Sequence, residues 1–111
     1  MSAPKIIVEK HEGYRTIIES GVFGGHRPGF FEWIMYSDEM VADEALATIP
    51  PDASKSHIKR TLQFRVVAAP IDAKNFAQWL NGHIAEYEKN FGEITLEKKP
   101  AKPQKGPQPY I

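Results

Sequence analysis

The chain has 111 residues, of which 41% are hydrophobic, 11% aromatic and 25% charged, so one ordinary globular domain is expected. Fourteen basic and fourteen acidic side chains give a formal net charge of zero, which speaks against a dedicated nucleic-acid or membrane binder. The chain has no cysteine, which excludes disulfides, thiolate catalysis and cysteine-ligated zinc or iron–sulfur sites. No apolar stretch approaches the roughly 18 residues of a spanning helix. The opening Met1-Ser2-Ala3-Pro4-Lys5 has no apolar signal core. The expected location is the cytoplasm, with no membrane partner.

In chain order, Lys5 to Val8 reads as a short first strand. Tyr14 to Phe23 holds Thr16, Ile17, Ile18 and Val22, residues that favour extended chain. Gly24-Gly25-His26-Arg27-Pro28-Gly29 then reads as a loop. Phe30 to Tyr36 resumes as the second arm of a hairpin and is apolar on both faces, as a strand covered on both sides would be. Asp38 to Ala47 fits either a continued strand or a short helix. Ile49-Pro50-Pro51-Asp52 ends either one. Ser54 to Ser56 is expected to be exposed loop.

Ile58 to Ala69 alternates with a period of two. Leu62, Phe64, Val66 and Ala68 are placed on one face, and Thr61, Gln63, Arg65 and Val67 on the other. The last element is a helix over residues 73–91, about 28 Å long at 1.5 Å per residue. Phe76, Leu80, Ile84, Tyr87 and Phe91 recur at spacings of four, four, three and four and form one stripe, bordered by Trp79 and His83. Asp72 reads as its N-cap. Gly92 fits the glycine position just past a helix end, with Ile94 packing back on the last turn.

Residues 97–111 form a separate compositional segment. Lys98, Lys99, Lys102 and Lys105 outnumber the single Glu97, and Pro100, Pro103, Pro107 and Pro109 break any helix. The segment is expected to be extended or disordered. The fold class is therefore α+β: an antiparallel sheet of three to four strands, then one long C-terminal amphipathic helix, in a single domain over residues 1–96 followed by a Pro/Lys tail.

Chemistry is sparse. None of the four histidines, His11, His26, His57 and His83, lies at a metal-ligand spacing, and no serine lies in a nucleophile elbow. No catalytic residue, cofactor or metal is assigned. The glycine run at residues 21–29 lacks the Gly-Lys-Ser/Thr of a phosphate loop. It leaves one weak anion-site candidate, His26 with Arg27 and the glycine amides. Lys59, Arg60 and Arg65 lie near Phe64, an interleaving that can contact single-stranded RNA, but Phe64 shares the apolar face.

Val66-Val67 running to Pro70, Ala73-Lys74 opening a helix, Tyr87-Glu88-Lys89 and the closing Phe91-Gly92-Glu93-Ile94 together resemble a family of small bacterial and archaeal proteins. That family is domain of unknown function three-four-six-seven, and the resemblance covers residues 58–96. It implies no reaction, cofactor or catalytic residue. The order of strands and then a helix is also similar to that of SecB-type export chaperones, a likeness of fold order that does not give function.

The aromatic side chains exceed what one helix on one sheet covers, and surplus apolar surface signals a partner. The expected function is a non-enzymatic protein-interaction module: an oligomeric or assembly subunit whose partner is itself or a larger assembly. Trp33, Met35, Trp79 and His83, with Lys98, Lys99, Lys102 and Lys105, are the candidate interaction residues. The alternatives are an accessory nucleic-acid binder using the basic tail, and a small-ligand or anion-binding enzyme using the glycine-rich segment.

Overall fold

The computed structural model describes residues 3–96. Within them the elements are β1 (Gly21–Arg27), β2 (Phe30–Val41), α1 (Asp43–Leu46), a 3-10 turn (Ala53–Lys55), β3 (His57–Ala68) and α2 (Pro70–Phe91). The three strands form one antiparallel sheet in the order β1-β2-β3, and α2 follows it. This is the expected α+β arrangement. The Pro/Lys tail lies outside the described residues.

The hairpin sits elsewhere than expected. The glycine-rich run is not a loop: Gly24 and Gly25 pair with Trp33 and Glu32 inside the β1–β2 ladder. The turn is the two residues Pro28-Gly29, with Gly29 at φ 85°. Proline followed by a glycine of positive φ is a strong turn signal, and it outweighs the earlier glycines. Gly24 is in the strand because the neighbouring chain comes close. A Cβ built there would lie 2.3 Å from the Glu32 carbonyl oxygen.

Residues 14–20 are extended but join no ladder. The Ser20 amide donates to the Tyr36 carbonyl at 2.9 Å, Ser37 Oγ donates to the Ile18 carbonyl, and Arg15 donates to the carbonyl of Gln63. The segment therefore crosses from β1 past β2 to β3. Residues 5–8 form no strand either. Branched side chains favour extended backbone in both segments, but a strand also needs a continuous run of backbone pairing, which neither segment makes. Asp38 to Ala47 divides: β2 continues to Val41 and α1 follows. Where loop is expected at Ser54 to Ser56, residues 53–55 form a 3-10 turn that Asp52 caps by accepting from the Ser54 amide at 3.0 Å.

The register of β2 on β3 breaks between Met35 and Tyr36. Phe64 faces Met35, Leu62 faces Tyr36, and Gln63 is the extra residue. Such a bulge shifts the alternation by one. Phe64, Val66 and Ala68 share the face of Met35, Trp33 and Phe31. Leu62 moves to the opposite face, away from the group in which simple alternation places it. Among the described residues no helix covers that opposite face, so β2 is not covered on both sides by them.

Helix α2 starts at Pro70, with Ala69 as N-cap and no side-chain cap. Asp72 is in the first turn instead, because Pro70 takes the first helical position, where its missing N–H costs nothing. At the other end Gly92 has φ 100°, and its amide donates to the Glu88 carbonyl at 2.9 Å. The Ile94 amide donates to the Glu88 carboxylate at 2.9 Å, so a side chain helps close the helix.

The core is minimal. Ala45, at 5% exposure, is the only buried residue among those described. The first two turns of α2 meet the sheet through Phe76, and the rest of the helix carries its stripe in the open.

Candidate interaction surface

The strand pleat places Val22, Gly24 and His26 of β1 beside Met35, Trp33 and Phe31 of β2 on the helix side of the sheet. On that face the Trp33 indole meets the Phe76 ring edge-on, with centroids 6.0 Å apart and planes at 88°. Phe76 meets Trp79 with the same separation and angle, and Trp79 meets His83 at 5.0 Å. Edge-to-face geometry suits the aromatic quadrupole. The structure thus joins three of the four predicted interaction residues of the described chain, Trp33, Trp79 and His83, into one file of rings. Phe76 is the link that sequence reasoning placed in the helix stripe but not in the candidate set. Its signal was present: Phe76, Trp79 and His83 follow at spacings of three and four.

Met35, the fourth, lines a groove of about 560 Å³ between β1 and α2, together with Val22, Phe31, Trp33, Phe76 and Leu80. The groove exists because α2 covers β2 and β3 while β1 carries glycine at positions 24 and 25. Farther along the helix the stripe is open: Trp79 is 61% exposed and Phe91 75%. Tyr87 and Phe91 contact each other, with ring centroids 5.0 Å apart.

The opposite face carries ion pairs beside the apolar Phe23, Ile34 and Leu62. Glu32 pairs with Arg27 at 3.1 Å and with Arg65. Hydrogen bonding from Arg65, helped by both positive charges, holds the Glu32 carboxyl below its ordinary pKa. Asp38 accepts two hydrogen bonds from Arg60, at 2.8 and 2.9 Å, and its carboxyl is likewise lowered. The Arg60 guanidinium also stacks over the Tyr36 ring at 4.0 Å.

This geometry bears on the other candidates. His26 and Arg27 are neighbours on a strand and so point to opposite faces. Arg27 is engaged by Glu32, and Gly24 and Gly25 lie within the β ladder. The structure does not bring the anion-site set together. Arg60 is likewise engaged by Asp38 and Tyr36, and Lys59 lies on the other face of β3. Lys98, Lys99, Lys102 and Lys105 lie outside the described residues. Among the described residues no three His, Asp or Glu side chains are grouped to hold a metal, and no helix is long and apolar enough to cross a membrane.

Neither a curated protein nor a solved structure matches the chain. One family model does match, over residues 48–96, which takes in Pro50-Pro51, the 3-10 turn, β3 and α2. It begins ten residues earlier than the resemblance read from the sequence. This segment of the chain therefore carries the signature of the family described as Protein of unknown function (DUF3467).

Proposed function

We propose that this protein is a non-enzymatic interaction module that works as a subunit of an assembly, and that the first partner of each chain is another copy of itself. The observation that carries the reading is the exposed apolar stripe of α2. Phe76, Trp79, Tyr87 and Phe91 are 45%, 61%, 52% and 75% exposed. An aromatic side chain offers about 200 Å², so these four alone leave about 500 Å² of aromatic surface in water. Leu80 and Ile84, at 42% and 37%, widen the same stripe.

A patch of that size is near the largest carried by an ordinary monomer. A standard interface buries about 800 Å² per partner, so the stripe supplies more than half of one. The gross hydrophobic gain is roughly 12 kcal/mol per subunit at 25 cal/mol per Å², comparable with the cost of association. A self-complementary stripe also suits two-fold pairing, in which the same surface is used twice.

The test is the absolute mass of the full chain by multi-angle light scattering across a hundredfold range of concentration. A dimer or tetramer that dissociates only on dilution is expected. A stable monomer of 12.5 kDa at all concentrations would remove the reading.

A further inference from the structure

We infer that the N-terminal arm, residues 5–10, of one copy adds as a strand to the free edge of β1 in a second copy. This rests on the self-assembly reading and specifies one contact within it.

Two observations on separate parts of the chain meet here. The first is the arm. Ile6, Ile7 and Val8 are 83%, 74% and 87% exposed, and no strand or helix includes them. Three consecutive branched residues favour the β conformation and are costly to leave in water. The arm ends in a tight turn, where the Tyr14 amide donates to the His11 carbonyl at 2.8 Å and the Gly13 amide to His11 Nδ1 at 2.9 Å. Arg15 then anchors the chain on Gln63 of β3. The arm therefore leaves beside β3, at the opposite edge of the sheet from β1.

The second observation is that the two sheet edges differ. The edge at β3 is guarded by the bulge at Gln63, by Arg15 on the Gln63 carbonyl, and by Lys59, Arg60 and Arg65 along the strand. Bulges and charges of this kind discourage strand addition. The edge at β1 has no bulge, and its one charged side chain, Arg27, lies at the turn end and is paired with Glu32; no strand lies outside it among the described residues.

Side chains on both flanks of β1 match the arm. On the helix side lies the groove of about 560 Å³, lined by Phe31, Trp33 and Met35 among others. On the other side Phe23 faces Ile34. An added strand sends alternate side chains to the two faces. Ile6 and Val8 go to the apolar groove, and Ile7, flanked on its face by Lys5 and Glu9, goes to the mixed flank where Phe23 and Ile34 lie beside the Arg27–Glu32 pair.

The chain has no native cysteine, so single cysteines report pairing without background. One population of full-length chain carries Ile6→Cys, Ile7→Cys or Val8→Cys, and a second carries Val22→Cys or His26→Cys. The two are mixed, allowed to exchange and oxidised. A disulfide-linked heterodimer in at least one pairing is expected. In parallel, the double substitution Ile6→Ser with Val8→Ser is expected to raise the dissociation concentration at least tenfold and leave the circular dichroism of the concentrated protein unchanged.

If every pairing fails to crosslink while wild-type chain assembles, this inference falls and the self-assembly reading stands. A double-cysteine chain that only closes on itself places the arm on its own β1 and overturns the exchange. A wild-type chain that is monomeric by light scattering removes both.

Discussion

Gly24 shows how one residue positions a strand pair. Its φ of 148° is a conformation that side chains rarely adopt, and a Cβ would meet backbone of β2, which cannot swing aside. Gly24→Ala is expected to destabilise the chain by about 2 kcal/mol or more, read from the urea midpoint at constant slope. Glu32 makes a different prediction. Arg65 and Arg27 lower its pKa, so its contribution to stability is fully present above the ordinary carboxylate range of about 4 and is lost as pH falls through that range. Asp38, held by Arg60, acts in the same sense. Wild-type stability should therefore fall between pH 5 and pH 3, roughly the window these groups set. Glu32→Gln should fall less steeply over the same window in urea titrations. An unchanged slope would separate the carboxylate from the acid sensitivity.

Helix α2 is the element most legible in the sequence, because a 3.6-residue period over more than four turns admits few other readings. Its N-terminus was less legible: Asp72 and Pro70 both mark helix starts, and the proline, two residues earlier, takes the first position. Gly82 sits inside the helix with nothing within 4 Å of where a Cβ would be. Gly82→Ala is expected to stabilise the isolated subunit by up to about 1 kcal/mol. If the same substitution weakens assembly in light scattering, a partner backbone approaches there. For the strands, alternation identified β3 but ran straight through the bulge, because a single extra residue leaves no mark in the pattern of side chains. In β1 the glycines hid the strand, since composition alone reads Gly24-Gly25 as a break.

At the scale of the whole molecule, one buried residue among those described is too little to hold a sheet and a 22-residue helix together. Folding and assembly are then expected to be coupled, with a thermal midpoint that rises with protein concentration. Trp79→Ser and Phe91→Ser alter side chains that are mostly exposed within one subunit. Each is expected to raise the dissociation concentration by a factor of ten or more while the far-ultraviolet spectrum of the concentrated protein is retained. If neither variant moves the dissociation concentration, the stripe is not the interface.

The sequence by itself determined the α+β class, the antiparallel order, the apolar stripe of α2 and its glycine end. These follow from local periodicity and backbone chemistry, which act over a few residues. It also pointed to Trp33, Met35, Trp79 and His83, since surplus aromatic side chains are visible in composition. Only the tertiary structure decided that Phe76 links Trp33 to Trp79, that Arg27 and His26 face apart, and that Leu62 changes sides. It also decided that β1 and β3 are the two sheet edges and that only β3 carries a bulge. Each depends on register or on contacts between residues far apart in sequence, such as Arg15 with Gln63 and Glu32 with Arg65. Local patterns hold no record of which distant neighbour a strand or side chain will meet.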